Sequence, residues 1–236
     1  MAAKKIQIFG DSKGVGVGEP PLGSPTATNC DGIRLALYQA MWNEGVQVTF
    51  VGSFNNVSNS IVAAALGGSH NAISGSVISD MTSTAAARVT TFAPDAVIVD
   101  TGTNDVDGGS TSTANVTTNY NALLDAIRSG SATVPILMTK CIPLLSSNGL
   151  TFMSSFYSQL DSIYSTRHAT DSNLYLVDCS GFPSSEMSTR FDGFPDLYHA
   201  GRAGYIDLGS HYFAPVLRRV PNFRNRGSFQ SFVGGP

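Results

Sequence analysis

Three residue types spread along the chain could do nucleophilic chemistry together. Ser12 stands in Phe9-Gly10-Asp11-Ser12-Lys13-Gly14, directly after the short apolar run Ile6-Gln7-Ile8-Phe9. A serine attacks a carbonyl only when a base takes its proton and a further group orients that base. The chain has four histidines, His70, His168, His199 and His211. His199 is the best candidate base, because Asp196 precedes it by three residues. Over one turn of chain the carboxylate can accept from one ring nitrogen and leave the other for Ser12. His70 and His168 read as polar surface or loop histidines, and His211 as an exposed or satisfied residue of a final helix.

Acyl transfer also needs hydrogen-bond donors aimed at the developing oxyanion. Asn104, in Gly102-Thr103-Asn104-Asp105, offers its side-chain amide. Gly75, in His70-Asn71-Ala72-Ile73-Ser74-Gly75-Ser76, offers a backbone N–H with no side chain to block approach. The N–H of Ser12 is a third donor. Taken singly, Gly, Asp, Ser and Asn are ordinary turn residues. What sets these apart is where the elements of the chain place them.

Short apolar runs rich in β-branched residues predict strands over 5–9, 46–51, 96–100, 135–139 and 174–178. Between them, apolar residues at spacings of three and four predict helices over 32–43, from Ser79 or Asp80 to just before Pro94, and over 115–128, 151–167 and 202–217, with Pro215 ending or kinking the last. Five β–α units in series predict an α/β fold, a three-layer α/β/α arrangement around a five-stranded parallel sheet. Ligands bind beyond the carboxyl ends of such strands. Ser12 follows the first strand, the Gly102 block the third, and Lys140-Cys141-Ile142-Pro143 the fourth. The excursion after the fifth reaches His199. The candidate residues therefore collect on one edge of the sheet.

With 236 residues and no composition break before about Val220, the chain reads as one domain over 1–220 and an irregular tail over 221–236. Charged residues make up only 13%, and Ser, Thr, Asn and Gly fill the gap, which suits an extracellular protein or one handling neutral polymers. A net charge of −3 gives no electrostatic case for nucleic acid, and Arg218, Arg219, Arg224 and Arg226 are confined to the C-terminal surface. No apolar run approaches the roughly 20 residues that cross a bilayer, so no membrane association is expected. The start, Met-Ala-Ala-Lys-Lys, shows no signal peptide. A secreted or extracellular protein is the expectation, either as a mature form with a replaced start or as a chain that never had a signal; a cytoplasmic one stays open, as does the oligomeric state. Cys30, Cys141 and Cys179 are odd in number and lack a Cys-x-x-Cys pair. Free buried thiols are expected, with a bridge open for Cys141 and Cys179 if their strands are neighbours.

Other chemistries fit less well. Gly14, Gly16 and Gly18 hint at a dinucleotide fingerprint, but the third glycine is misplaced and Pro20-Pro21 stands where a helix should begin. No P-loop is present. A metal hydrolase on Asp105, Asp107, Asp192 and His199 lacks any paired-histidine spacing, and such loop acids are commonly solvated.

Gly10-Asp11-Ser12, then Gly75, then Gly102-Thr103-Asn104-Asp105, then Asp196-Leu197-Tyr198-His199 resembles the four motif blocks of the SGNH hydrolase family, also called GDSL esterases. The blocks come in the family's order and span Ser12 to about Tyr205. The resemblance implies a flavodoxin-like fold, with Ser12 as nucleophile, His199 as base and Asp196 as its orienting acid. It implies an oxyanion hole of the Ser12 N–H, the Gly75 N–H and the Asn104 amide, with no cofactor and no metal. Asp31-Gly32-Ile33-Arg34, Val48-Thr49-Phe50-Val51-Gly52-Ser53 and the His70–Gly75 stretch are similar to the carbohydrate-esterase branch, which includes acetyl xylan esterases. That likeness implies a serine esterase removing acetyl groups from a glycan, or from another acylated small molecule. A lipase or thioesterase acting on longer chains is the rival; Phe54, Leu144, Leu145, Phe152, Phe182, Phe191 and Phe194 could line its groove. A non-catalytic glycan-binding domain of the same fold is the other. The chain departs from the family's pattern at Lys13, where an apolar residue usually follows the serine. It also departs at Ala200, where proline is common, and at Asp100. Lys13, as a contact for an anionic substrate or a solvated side chain, and Tyr198, as a pocket residue, are the candidate substrate-binding positions.

Overall fold

The first strand, β1 (Lys4–Gly10), buries its last five residues, and neighbouring side chains enter opposite cores: Ile6 and Ile8 one, Phe9 the other. A strand covered on both faces must lie inside a sheet between two helical layers. The computed structural model describes residues 2–15, 32–55, 69–109, 114–189 and 195–224, without the side chains of Asn55, Ser188, Thr189, Pro195, Asp196 and Arg202. Gly16, Gly18, Cys30, Phe191, Asp192, Phe194 and Arg226 lie outside the described residues.

After β1 come α1 (Ser12–Val15), α2 (Ile33–Asn43), β2 (Val48–Val51), β3 (Phe54–Asn55) and β4 (Ser69–His70). Then follow α3 (Ile78–Phe92), β5 (Ala96–Asp100), α4 (Thr103–Asp107), α5 (Val116–Gly130), β6 (Ile136–Lys140), α6 (Ser147–His168) and β7 (Leu174–Asp178). The chain closes with β8 (Met187–Thr189), β9 (Pro195–Ala200), α7 (Arg202–Asp207), a π-helical turn (Leu208–Phe213) and α8 (Ala214–Leu217). The five-stranded sheet runs β2-β1-β5-β6-β7, and every neighbouring pair is parallel. This is the three-layer α/β/α fold expected from the alternation of strands and helices. Ile98 and Leu137 face the core under α2 and the C-terminal segment. Val97, Val99, Ile136 and Met138 face the core under α3, α5 and α6.

The strand order fixes where a ligand binds. From β1 the chain moves to β2 on one side, and it returns to β5 on the other. Ligands bind at such a switch, in the crevice beyond the carboxyl ends of the two strands. Here those ends are Gly10 and Asp100, directly opposite each other in register.

Several elements differ from the sequence expectation. α6 starts one turn before 151, because the Ser146 hydroxyl caps it by accepting from the Gly149 N–H at 3.1 Å. In that first turn a Cβ at Gly149 would collide with the Leu144 side chain, so the turn packs closely on Leu144. The final helix is interrupted by the π-helical turn, and Pro215 sits at the start of α8, directly after it. Two antiparallel ribbons, β3–β4 and β8–β9, are too short to show as periodic patterns. Phe223, within the expected tail, is buried in the core. Cys141 and Cys179 are free and buried.

Candidate active site

Ser12 is delivered by the sharp passage from β1 into α1. The Val15 N–H donates to the Asp11 carbonyl at 3.2 Å, closing the first helical turn just past the strand. The Asp11 N–H donates to the Asp100 carbonyl at 3.3 Å, which docks this turn on the end of β5. Gly10 is required there: a Cβ would come within 2.8 Å of the Asp100 carbonyl oxygen. On the far side, β9 carries His199. It pairs with β8 and is held to the loop after β6 by the Leu145 N–H, which donates to the Leu197 carbonyl at 3.0 Å. His199 Nε2 lies 2.8 Å from Ser12 Oγ. With Nε2 accepting the hydroxyl proton, the ring carries its own proton on Nδ1. Asp196 stands on the same strand, three residues before His199; its side chain lies outside the described residues.

The loop carrying Gly75 is tied to both switch-point strands. The Ile73 N–H donates to the Gly10 carbonyl at 2.9 Å, and the Ser76 hydroxyl donates to the Ile73 carbonyl at 2.8 Å. The Asn104 side-chain amide donates to the Ser76 carbonyl at 2.8 Å, and the Ile78 N–H donates to the Asp105 carboxylate at 3.0 Å. Gly75 is exposed with φ +80, and no atom lies within 4 Å of where its Cβ would be, so its backbone faces open space. An Nδ2 amide carries two hydrogens. One of those of Asn104 is used on Ser76; the other remains for a second acceptor.

Asn104 is placed by α4, which opens at Gly102 with φ +112. That conformation suits glycine, and a Cβ there would collide with the Phe156 ring. Asp107, at the other end of α4, accepts from the Ser146 hydroxyl at 2.8 Å.

Three sequence readings are corrected. Lys13 is neither solvated nor free for a substrate. It is 2% exposed, and its Nζ donates to both Asp11 oxygens at 2.8 Å, because the chain folds back on itself in the Asp11–Lys13 turn. His70 is fully buried in β4 rather than in a surface loop; its Nδ1 accepts from the Ala72 N–H at 3.1 Å. Burial, with the Arg34 charge adding to it, lowers its pKa to about 4, so it is neutral at pH 7. Asp105 is a buried acid, not a solvated one; burial raises it to about 6, although the Ile78 N–H bond pulls the other way. Among the described residues no group of three or more His, Cys, Asp or Glu side chains is placed to hold a metal ion. His168 and His211 stand away from the edge, in contact with the Leu174 carbonyl and Asp207 respectively.

Tyr198 is half-buried, and one side packs on the core beside α6; its ring centroid is 6.1 Å from that of His199. Of the apolar candidates for a groove, Leu144 and Phe182 are core residues, and Phe54 lies under the Arg88 guanidinium at 5.1 Å. Ser76 and Asp105, which hold the Gly75 loop, had no signal in the sequence beyond adjacency to Gly75 and Asn104. No helix among the described residues is long and apolar enough to cross a membrane.

Residues 8–205 match the model of the GDSL-like lipase/acylhydrolase family. The chain is similar to the crystal structure of an acetyl esterase mutant with acetate ion, at 23% identity and TM-score 0.69, over 92% of this chain and 97% of that one. It is similar to a Clostridium thermocellum family 3 carbohydrate esterase at 21% identity and TM-score 0.70, over 92% and 98% of the two chains. It is also similar to a carbohydrate esterase family 3 protein from Talaromyces cellulolyticus at 22% identity and TM-score 0.70, over 92% and 97%. At these identities the likeness establishes a shared fold. No curated protein matches the chain.

Proposed function

The chain belongs to the GDSL-like lipase/acylhydrolase family and is a carboxylic ester hydrolase, and we propose that it removes acetyl groups from a carbohydrate through an acyl-enzyme on Ser12. The observation that carries this reading is the 2.8 Å contact between His199 Nε2 and Ser12 Oγ at the switch point of the sheet.

His199 takes the hydroxyl proton as Ser12 Oγ adds to the ester carbonyl. The tetrahedral oxyanion is held by the N–H groups of Ser12 and Gly75 and by the second amide hydrogen of Asn104. As the intermediate collapses, His199 gives its proton to the departing sugar oxygen, which leaves as a hydroxyl. Water then gives a proton to the same ring and attacks the acyl-enzyme; the proton returns to Ser12 Oγ as the acyl–oxygen bond breaks and acetate leaves. Asp196 keeps the imidazole oriented and stabilises its protonated form. No step in this sequence calls for a metal or an organic cofactor.

A short acyl group is favoured because two of the apolar residues that a long-chain groove would use, Leu144 and Phe182, are committed to the core. The acetyl and carbohydrate esterases among its structural neighbours support the same substrate class. A weakly charged, hydroxyl-rich composition suits a neutral glycan. The test compares p-nitrophenyl acetate with the octanoate ester, and acetate release from acetylated xylan with that from deacetylated xylan. Preference for acetate and release only from the acetylated polymer are expected. A preference for the octanoate ester would contradict the deacetylase reading.

A further inference from the structure

We propose that Lys13 is a positioning residue for the nucleophile: locked on the Asp11 carboxylate, its ammonium closes a clamp around Ser12 that holds Oγ in line with His199. The inference rests on Ser12 being the nucleophile.

The two neighbours of Ser12 bond to each other across it. Lys13 Nζ lies 2.8 Å from Asp11 Oδ1 and 2.8 Å from Oδ2, and the Lys13 N–H donates to Oδ1 at 3.0 Å. Ser12 is therefore the middle residue of a ring closed once through the backbone and once through the side chains. Asp11 is 0% exposed and Lys13 2%, so bulk water is shut out from this pair. Burial is the largest single influence and disfavours the charge on Lys13, but the charge and hydrogen bond of Asp11, with Cys141 and Asp100, together outweigh it, and the ammonium pKa stands above its ordinary value.

Stability alone does not account for such a pair. A buried ion pair often does no better than two well-packed apolar residues of similar volume. What the pair adds is constraint. The ring is anchored through the Asp11 N–H to β5 and, one residue earlier, through the Gly10 carbonyl to Ile73 in the Gly75 loop. The Lys13–Asp11 ring thus sits on a backbone already fixed to β5 and to the Gly75 loop, and the residue it still constrains is Ser12. Lys13 also places a cation near Asp100, a second buried carboxylate, whose pKa burial raises and Lys13 lowers.

The test measures kcat and KM for p-nitrophenyl acetate, together with thermal melting, in wild type, Ser12→Ala, Lys13→Met and the double variant Asp11→Asn with Lys13→Met. The double variant removes both charges at once, so no unpaired charge is left buried, and it keeps an oxygen for the Lys13 backbone turn. A cooperatively melting double variant is expected, with kcat at least about tenfold lower and KM within about threefold of wild type, the split produced by a misplaced reacting group. A kcat within about threefold of wild type in either folded variant, beside an inactive Ser12→Ala, overturns the clamp and leaves the serine mechanism standing. A double variant that does not fold assigns the pair to stability and also overturns the clamp. A fully active Ser12→Ala overturns the serine mechanism itself, and the clamp with it.

Discussion

His199 Nε2 lies 2.8 Å from Ser12 Oγ although 187 positions of sequence separate them. The contact is made by two elements that never pair: the turn after β1, docked on β5, and the ribbon strand β9, docked on the loop after β6. A small shift of either would break it.

Asp196 is expected to orient His199. Asp196→Asn keeps a side chain of the same shape but favours the wrong imidazole tautomer. A fall in kcat of between about 10² and 10⁴ is expected, with little change in KM. Steady-state kinetics on p-nitrophenyl acetate read it directly, and an unchanged kcat would remove Asp196 from the mechanism.

Asn104→Ala deletes the amide proposed as an oxyanion donor and, with it, the bond to the Ser76 carbonyl. Loss of a single such donor costs about 10² to 10³ in kcat. The expected variant melts near wild type, binds substrate normally and turns over slowly. A loss below about threefold would contradict a role for this amide in the transition state.

Gly102→Ala tests how α4 is placed. The substitution forces a Cβ onto a φ of +112 and into the Phe156 ring. A destabilisation of about 2 to 4 kcal/mol is expected, seen as a melting temperature lower by about 4 to 16 °C. The catalytic rate falls too, because Asn104 sits two residues along. A variant as stable as wild type would contradict the close packing of Gly102 on Phe156.

Asp105 gives a pH signature. Burial raises its carboxyl from an ordinary 3.8 to about 6, the Ile78 N–H acting in the opposite direction. The folded state then holds the proton more tightly than the unfolded one. The contribution of this group to stability is therefore full below about pH 4 and is lost as pH rises through 6. Asp105→Asn cannot titrate, and its oxygen can still accept from Ile78. The melting temperature of the variant minus that of wild type is expected to become more positive between pH 4.5 and pH 7.5. A difference that becomes more negative over that range would contradict the buried, proton-retaining carboxyl.

The large-scale plan was legible because it rests on repeated local patterns. Five short β-branched apolar runs, such as Ala96-Val97-Ile98-Val99, read as strands, the third covered on both faces, and in a parallel sheet the residues after them share an edge. Ser12, Asn104 and His199 follow strand ends and were expected on that edge for this reason; Gly75, in the loop before α3, was singled out by its unblocked N–H and by the resemblance. What stayed hidden depended on where one side chain turns. Lys13 is a charged residue in a glycine-rich stretch, and its sequence context does not say that it folds back two residues onto Asp11. Asp105 reads like any acid in a turn until Ile78 is known to point at it. His70 looked polar because its neighbours are polar, yet β4 carries it into the interior. Short ribbons and the π-helical turn were invisible for a related reason: two- or three-residue strands have no period, and a change of helical register leaves the apolar stripe almost intact.

The most direct measurement is kcat for p-nitrophenyl acetate in wild type and in Ser12→Ala, with melting temperature as the control for folding. Turnover in the wild type, and a loss of about 10³-fold or more in a Ser12→Ala variant that melts like wild type, is the expected result. Equal turnover in the two proteins would contradict an acyl-enzyme on Ser12.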